Sequence, residues 1–378
     1  MKYRTMGKLG IQTSAFGLGC MRFNGAASGD SVIDEQKAIS LIRKAIDGGV
    51  TYLDTAYVYL NKTSETVLGK ALRDGYRDKV TIATKMPFEA VYDRASMEAL
   101  LKEELEKLQT DHIDFYLMHG INREKWEGFK AIGAPAFFDD MKKAGRIRYK
   151  CFSFHGPYDQ FEYILNDWDW DMVQIQYNFM DINNQAGTRG LELAGGKGIP
   201  VVIMEGLLGG RLAKAPDNVQ ALYDAFPVKR SAVEWAFRWL CNHPEVSVVL
   251  SGCNEKEQIE ENLRIFDTVA PGIMGAEELK LMDDVRAAYL SRTKIGCTGC
   301  RYCMPCPNGV NIPGVFSAWN QVSLYNTDPK TDWGFSQIKR NDHGADKCIA
   351  CGACEAACPQ HLNIIDGLQR AWGELNAD

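Results

Sequence analysis

Long apolar runs are missing from this chain. No stretch approaches the roughly 18 residues that a membrane-crossing helix needs, so no membrane partner is expected. Excess positive charge is missing too. A formal net charge of −6 argues against nucleic acid as the main partner. The opening MKYRTMGKLG lacks the apolar core of a secretory leader, which makes a cytoplasmic location the expectation. Low-complexity tracts are absent, and no flavin-binding motif stands out. What remains is an ordinary soluble composition, 46% hydrophobic and 24% charged. Its 378 residues allow one large domain and one small one.

Cysteine is abundant and unevenly placed. Eight of the twelve cysteines lie beyond residue 296, in two runs. The first is Cys297-x2-Cys300-x2-Cys303-x2-Cys306-Pro307, and the second is Cys348-x2-Cys351-x2-Cys354-x3-Cys358-Pro359. The second has the spacing of a bacterial ferredoxin, and the first is one residue short of it. A disulfide framework would suit a secreted chain, which the opening does not suggest. Zinc on closely spaced thiolates is the open metal alternative. The proline after each fourth cysteine favours two [4Fe–4S] clusters, and reduced thiolates fit the cytoplasm of an anaerobe. Cys306-Pro-Asn-Gly-Val-Asn-Ile is echoed by Cys358-Pro-Gln-His-Leu-Asn-Ile, an internal repeat that predicts a two-cluster module. His361 beside Cys358 is a weaker ligand candidate.

Upstream, short apolar runs alternate with amphipathic stretches. The runs are AFGLG, TYLD, VTIATK, IDFYLM, IRYKCFSF, MVQIQ, IPVVIM and VSVVL. Between them, Asp34 to Gly49 places Ala38, Leu41, Ile42 and Ala45 on one helical face, and Arg94 to Gln109 repeats the pattern. Strands apolar throughout and separated by helices imply a parallel sheet covered on both faces. Eight such units predict an α/β fold, a (β/α)8 TIM barrel over 1–290, with a small, mostly helical, ferredoxin-like domain over 291–378. The leading MKYRTMGKLGIQTS predicts a hairpin that plugs the barrel floor.

Active sites of such barrels lie at the C-terminal strand ends. Asp54 ends the second strand, Lys85 the third and His119 the fourth, with Tyr59 in the loop after Asp54. These groups suit carbonyl reduction. Hydride addition leaves charge on oxygen, and Tyr59 can supply the proton. Lys85 is the cation expected to lower the phenol's pKa, Asp54 holds Lys85, and His119 orients the substrate oxygen.

These residues resemble the aldo-keto reductases. Gly49-Val-Thr-Tyr-Leu-Asp54-Thr-Ala-Tyr-Val-Tyr59, then Ser64-Glu65 and Leu68-Gly69-Lys-Ala-Leu72, is similar to that family's signature. The five-residue step from Asp54 selects Tyr59 over Tyr57. The resemblance covers roughly Met1 to Arg264, and the tail is similar to an iron–sulfur subgroup's extension. It implies a small carbonyl or alcohol substrate and NADP or NAD bound without a glycine-rich motif. Ser153 and Gln174 match nicotinamide contacts, while Phe154 stands where an asparagine is usual, with His155 as a candidate substitute. Met204 takes the place of a stacking aromatic. Glu261 and Asn262 match adenine contacts. Gly252 and Gln258 occupy the places of the cations that grip a 2′-phosphate, with Lys256 the one cation nearby, so NADPH and NADH both remain open. Similarity to two-cluster ferredoxins implies one cluster on Cys297, Cys300, Cys303 and Cys358, and another on Cys348, Cys351, Cys354 and Cys306. A single cluster is the fallback. Specificity loops are expected around Phe23 to Ser31, Phe88 to Tyr92 and Asn122 to Phe138.

A second reading stays in view: an electron-transfer or redox-sensing protein, with a redox partner, whose barrel is not a hydride-transfer catalyst. Nicotinamide passes two electrons at once and each cluster passes one, so the two halves of the chain do not couple by themselves.

Overall fold

A computed structural model describes residues 1–23 and 34–377 of the chain. The specificity loop expected around Phe23 to Ser31 falls, apart from Phe23, outside the described residues. Among the described residues, no helix is long and apolar enough to cross a membrane.

The chain opens with β1 (Tyr3–Thr5) and β2 (Gln12–Ser14), paired antiparallel with Tyr3 opposite Ser14. Gly10 turns the connection at φ 67°. Met6 in that connection is fully buried among Tyr52, Phe115, Leu117, Met172 and Val248, which are core side chains of the barrel. A buried methionine of this kind stabilises by about 2 kcal/mol, and the hairpin is the expected plug.

Eight parallel strands follow: β3 (Phe16–Gly19), β4 (Tyr52–Asp54), β5 (Thr81–Pro87), β6 (Ile113–Ile121), β7 (Ile147–Phe154), β8 (Met172–Gln176), β9 (Val201–Met204) and β10 (Val246–Ser251). Each pairs with the next, and β10 closes on β3 with Ser251 opposite Leu18. The result is the eight-stranded parallel barrel that the alternation implies. The strands are apolar throughout because helices cover their outer faces while side chains fill the inside. Helix Glu35–Asp47 shows how the local code works. Asp34 accepts from the Lys37 amide at its start, and Ala38, Leu41, Ile42, Ala45 and Ile46 form its buried stripe. Gly49, at φ 96°, then turns the chain toward β4.

By compactness the chain divides into one unit of 1–209 with 234–276 and a second of 210–233 with 277–378. The second unit therefore takes in helices Asp217–Ala225 and Ala276–Leu290, which the 1–290 expectation assigns to the barrel. Polar bonds account for this. Arg211 pairs with Asp332 at 3.0 Å and donates to Gln321, Arg230 pairs with Glu278, and Asn218 donates to the Ala288 carbonyl.

Within the second unit, helices Ile312–Tyr325 and Ile364–Leu375 pack together through Phe316, Trp319, Leu368 and Ala371. Each follows one copy of the Cys-Pro repeat, and the copies share backbone geometry. Gly309 (φ 77°) matches His361 (φ 52°), Gly299 (φ 68°) matches Ala350 (φ 54°), and Arg301 (φ 66°) matches Gly352 (φ 77°). The Gly309 amide bonds the Cys306 carbonyl just as that of His361 bonds the Cys358 carbonyl. The one-residue difference in spacing is absorbed between the third and fourth cysteines. His361 is thus explained as a turn residue.

Candidate active site and candidate iron–sulfur centres

Three strand ends and one loop bring the expected tetrad together. Lys85 lies near the end of β5 and is 1% exposed. Its ammonium donates to Asp54 Oδ1 at 2.7 Å, to the Thr55 carbonyl at 2.7 Å and to the Tyr59 hydroxyl at 3.3 Å. All three of its protons are used, which fixes the charge. Burial presses the lysine toward neutrality, but Asp54 and Tyr59 more than offset this, and the ammonium is held above the ordinary lysine range. Asp54 is raised by burial, against the pull of Lys85. The pair is an ion pair in a dry site, stable because each charge has its partner.

Tyr59 departs from expectation in one respect. The sequence predicts a phenol acidified by Lys85. Burial raises it more than Lys85 lowers it, so its pKa lies above the ordinary tyrosine value. The hydroxyl therefore keeps its proton at neutral pH. The ring meets His119 edge-on, with centroids 5.9 Å apart. Burial, with Lys85 nearby, pushes His119 down to about 3, which makes it a neutral imidazole throughout the physiological range.

The backbone after Tyr59 is unusual. Leu60, Asn61 and Lys62 lie in succession at φ 52°, 54° and 68°. Consecutive left-handed non-glycine residues are costly, and such strain concentrates at functional sites. The turn is tied by the Thr63 hydroxyl, which donates to the Leu60 carbonyl, and by the Ser64 amide, which reaches back to the Tyr59 carbonyl.

The expected cofactor contacts divide. Ser153 is buried, and its hydroxyl accepts the Gly120 amide at 2.8 Å, beside His119. Gln174 is 1% exposed, and among the described residues its buried Oε1 has no hydrogen-bond partner. Met204 ends β9, half-buried. Phe154 packs on Phe161 and Phe152, while His155 is exposed and bonded to Gln185. Gln258 is occupied in its own loop, accepting the Asn254 amide at 3.0 Å. Asn262 is buried and its amide nitrogen donates to Ser251 Oγ and Cys253 Sγ, so it clamps the loop after β10. Lys256 stands 3.9 Å from Glu260. Glu261 is half-buried on the same helix.

Sequence reasoning missed Arg22, just past β3. A Cβ on Gly252 would lie 3.2 Å from Arg22 Cδ, and one on Gly209 would lie 3.3 Å from its Nη2. The two loops are more than 180 residues away in sequence, so only barrel closure reveals the contact. The segment 122–138, expected as a specificity loop, is largely helical, over Arg123–Ala131 and from Ala134 onward. Trp126, Phe129, Phe137 and Phe138 are fully buried, and Phe88 meets Phe129 edge-on.

In the second unit the eight cysteines line two recesses. Cys306, Cys348, Cys351 and Cys354 line one of about 110 Å³, and Cys303 lines both. Cys297, Cys300, Cys303 and Cys358 face a narrower one of about 20 Å³. Each recess thus mixes the two runs: Cys306 joins Cys348, Cys351 and Cys354, and Cys358 joins Cys297, Cys300 and Cys303. Among the described residues, no three His, Cys, Asp or Glu side chains converge as they would on a single ion. Four cysteines at one recess are the ligand number that a [4Fe–4S] cluster takes. Cys300 and Cys351 are exposed, and the other six are partly buried.

A closed parallel barrel with a lysine-anchored tyrosine and a neutral histidine at its mouth defines a barrel oxidoreductase. The chain belongs to the aldo/keto reductase family, whose model matches residues 15–277, and residues 296–363 match the 4Fe-4S dicluster domain. It is similar to the aldo-keto reductase YhdN of Bacillus subtilis (strain 168), 31% identical over 184 residues. That match spans 43% of this chain and only 55% of YhdN. The uncharacterized oxidoreductase YqkF of the same organism is 26% identical over 70% of this chain and 90% of its own length. Among solved structures, the holo form of the aldo-keto reductase AKR11C1 from Bacillus halodurans aligns with a TM-score of 0.63 at 26% identity. That alignment covers 75% of this chain and 96% of AKR11C1.

Proposed function

We propose that the chain interconverts a small carbonyl compound and its alcohol, using NADP or NAD, with Tyr59 as the proton-transferring residue. The observation that carries this reading is the Lys85 ammonium, held at once by Asp54, the Thr55 carbonyl and the Tyr59 hydroxyl. The residues present fit a nicotinamide. The unpartnered Gln174 Oε1 is an acceptor for a carboxamide N–H, and the Ser153 hydroxyl retains a proton to donate. When bound, the nicotinamide supplies or accepts the hydride.

Tyr59, protonated at neutral pH, gives its proton to the oxygen of the reacting carbonyl. Lys85 donates to the phenol oxygen, so the phenolate left behind meets a full positive charge at 3.3 Å. Asp54 keeps that charge in place. His119, neutral, donates a hydrogen bond that orients the substrate oxygen and does not compete as the acid.

The two recesses fit two [4Fe–4S] clusters, which the cysteine sets above would ligate and which would serve one-electron transfer or hold the unit together. The exposed Cys300 and Cys351 give a redox partner protein an approach. Eight cysteines set to hold clusters, with four buried thiols in the barrel, suit a reducing cytoplasm, such as that of an anaerobe.

The test is Tyr59→Phe in the cluster-loaded protein, assayed under argon with a panel of carbonyls and alcohols and both nicotinamides. Turnover is expected to fall at least about a hundredfold, while nicotinamide affinity holds. Undiminished turnover removes Tyr59 from the chemistry and leaves the electron-transfer reading.

A further inference from the structure

The geometry points to Arg22 as the residue that grips the diphosphate of the nicotinamide dinucleotide, a role that rests on the cofactor reading above. Three segments meet at the seam where the barrel closes. Gly19 ends β3, and a Cβ there would lie 3.7 Å from the Ser251 carbonyl and 3.8 Å from Gly252. Arg22 follows three residues later. Its methylene arm runs along Gly252, just past β10, and its guanidinium reaches Gly209, in the loop after β9. Both loops present bare backbone at these points, and Gly209 has φ 69°. A planar cation set between two glycines, Gly209 and Gly252, is the chemistry that recognises a pair of phosphates. Close backbone approach is allowed, and the fork offers parallel N–H donors.

Arg22 is available for this work. Among the described residues it forms no ion pair, whereas the nearby cations are engaged. Lys37 binds Glu255 at 2.6 Å, Lys44 binds Glu260 at 2.8 Å, and Lys256 stands 3.9 Å from Glu260. The position also separates two roles. The reacting end of the cofactor must sit beside Tyr59 and Gln174 inside the mouth, and the helix after β10 is the candidate adenosine site. A cation between the loops after β9 and β10 lies on the path between those ends. It therefore meets the diphosphate, which NADH and NADPH share, rather than the 2′-phosphate that distinguishes them.

The test titrates the full-length, cluster-loaded protein under argon with NADH, NADPH and ADP-ribose, read by tryptophan fluorescence and calorimetry. Arg22→Met keeps the arm over Gly252 and removes the charge. It is expected to weaken all three ligands by a common factor of about tenfold or more and to reduce the salt dependence of binding. Arg22→Lys should recover part of the loss. Gly252→Ala, which pushes on the arm from beneath, should weaken the three ligands in parallel. A loss confined to NADPH assigns Arg22 to the 2′-phosphate and overturns the proposal, as does unchanged binding in Arg22→Met. A wild-type protein that binds none of the three ligands overturns the cofactor reading as well, an outcome distinct from loss of the Arg22 role alone.

Discussion

Tyr59 and His119 face the same small space in opposite protonation regimes. The phenol is lifted above its ordinary value and the imidazole is pushed down to about 3. The consequence is directional. Carbonyl reduction needs the protonated phenol, which is present through neutrality, so kcat/KM for reduction should be flat from about pH 6 to 9 and fall only at the alkaline end. Alcohol oxidation needs the phenolate, so its rate should climb with pH over the same range. Lys85→Met removes the cation that opposes burial, raises the phenol further and displaces both alkaline limbs upward. It also leaves Asp54 buried without a partner, at a cost of about 3–5 kcal/mol, so its profile should be read at low temperature. A reduction profile with its limb near pH 6 would implicate an imidazole and take the acid role from Tyr59. Asp54, Lys85 and His119 were legible in the sequence because a charged or polar side chain closing an apolar strand costs desolvation energy that only a site offsets. Arg22 was not, because its partners are contributed by loops at the far end of the barrel's strand order.

At the scale of elements, helices Ser64–Ala71 and Arg94–Leu108 enclose a polar cluster behind β5 and β6 that no local pattern announces. Glu65 and Glu104 are both fully buried. Glu65 accepts the Thr84 hydroxyl at 2.6 Å and stands 3.8 Å from Lys107, and Glu104 accepts the Tyr116 hydroxyl at 2.6 Å. Burial raises Glu65 to about 7 and Glu104 well above its ordinary value. The folded state thus holds a proton on Glu65 between about pH 4.5 and 7 that the unfolded chain has already released. Stability from this group is complete below the lower value, declines as pH rises, and is gone above about 7, a span on the order of 3 kcal/mol. Glu65→Gln should flatten that decline in anaerobic urea melts at pH 5, 6, 7 and 8 followed by far-ultraviolet dichroism, while Thr84 keeps an acceptor. An unchanged slope would place the proton elsewhere. The strands are legible in the sequence, since period and composition fix them. The helices of 122–138 were not read from the sequence, because a mixed aromatic and polar stretch suits a loop and a half-buried helix alike, and only burial tells them apart.

At the scale of the whole molecule, the cysteine repeat has a consequence for how the second unit is held together. Cys306 of the first run lines the recess of Cys348, Cys351 and Cys354, which Cys303 also borders, and Cys358 of the second lines that of Cys297, Cys300 and Cys303. Cys306 and Cys358 would each tie one half of the repeat to the cluster of the other half, so that the clusters, with the Phe316–Leu368 core, make the two halves one body. This arrangement and simple consecutive ligation by each run predict opposite results in one background. Replacing Cys297, Cys300 and Cys303 by serine should leave one cluster, with iron falling from about eight to about four per chain. In that background, adding Cys306→Ser should remove the remaining cluster, because Cys306 serves the surviving site, whereas adding Cys358→Ser should leave it intact. Consecutive ligation reverses the two outcomes, making Cys306 dispensable and Cys358 essential. Iron and sulfide counts, with the electron paramagnetic resonance of the reduced protein, read the difference directly, and they do so whether or not the barrel turns over a substrate.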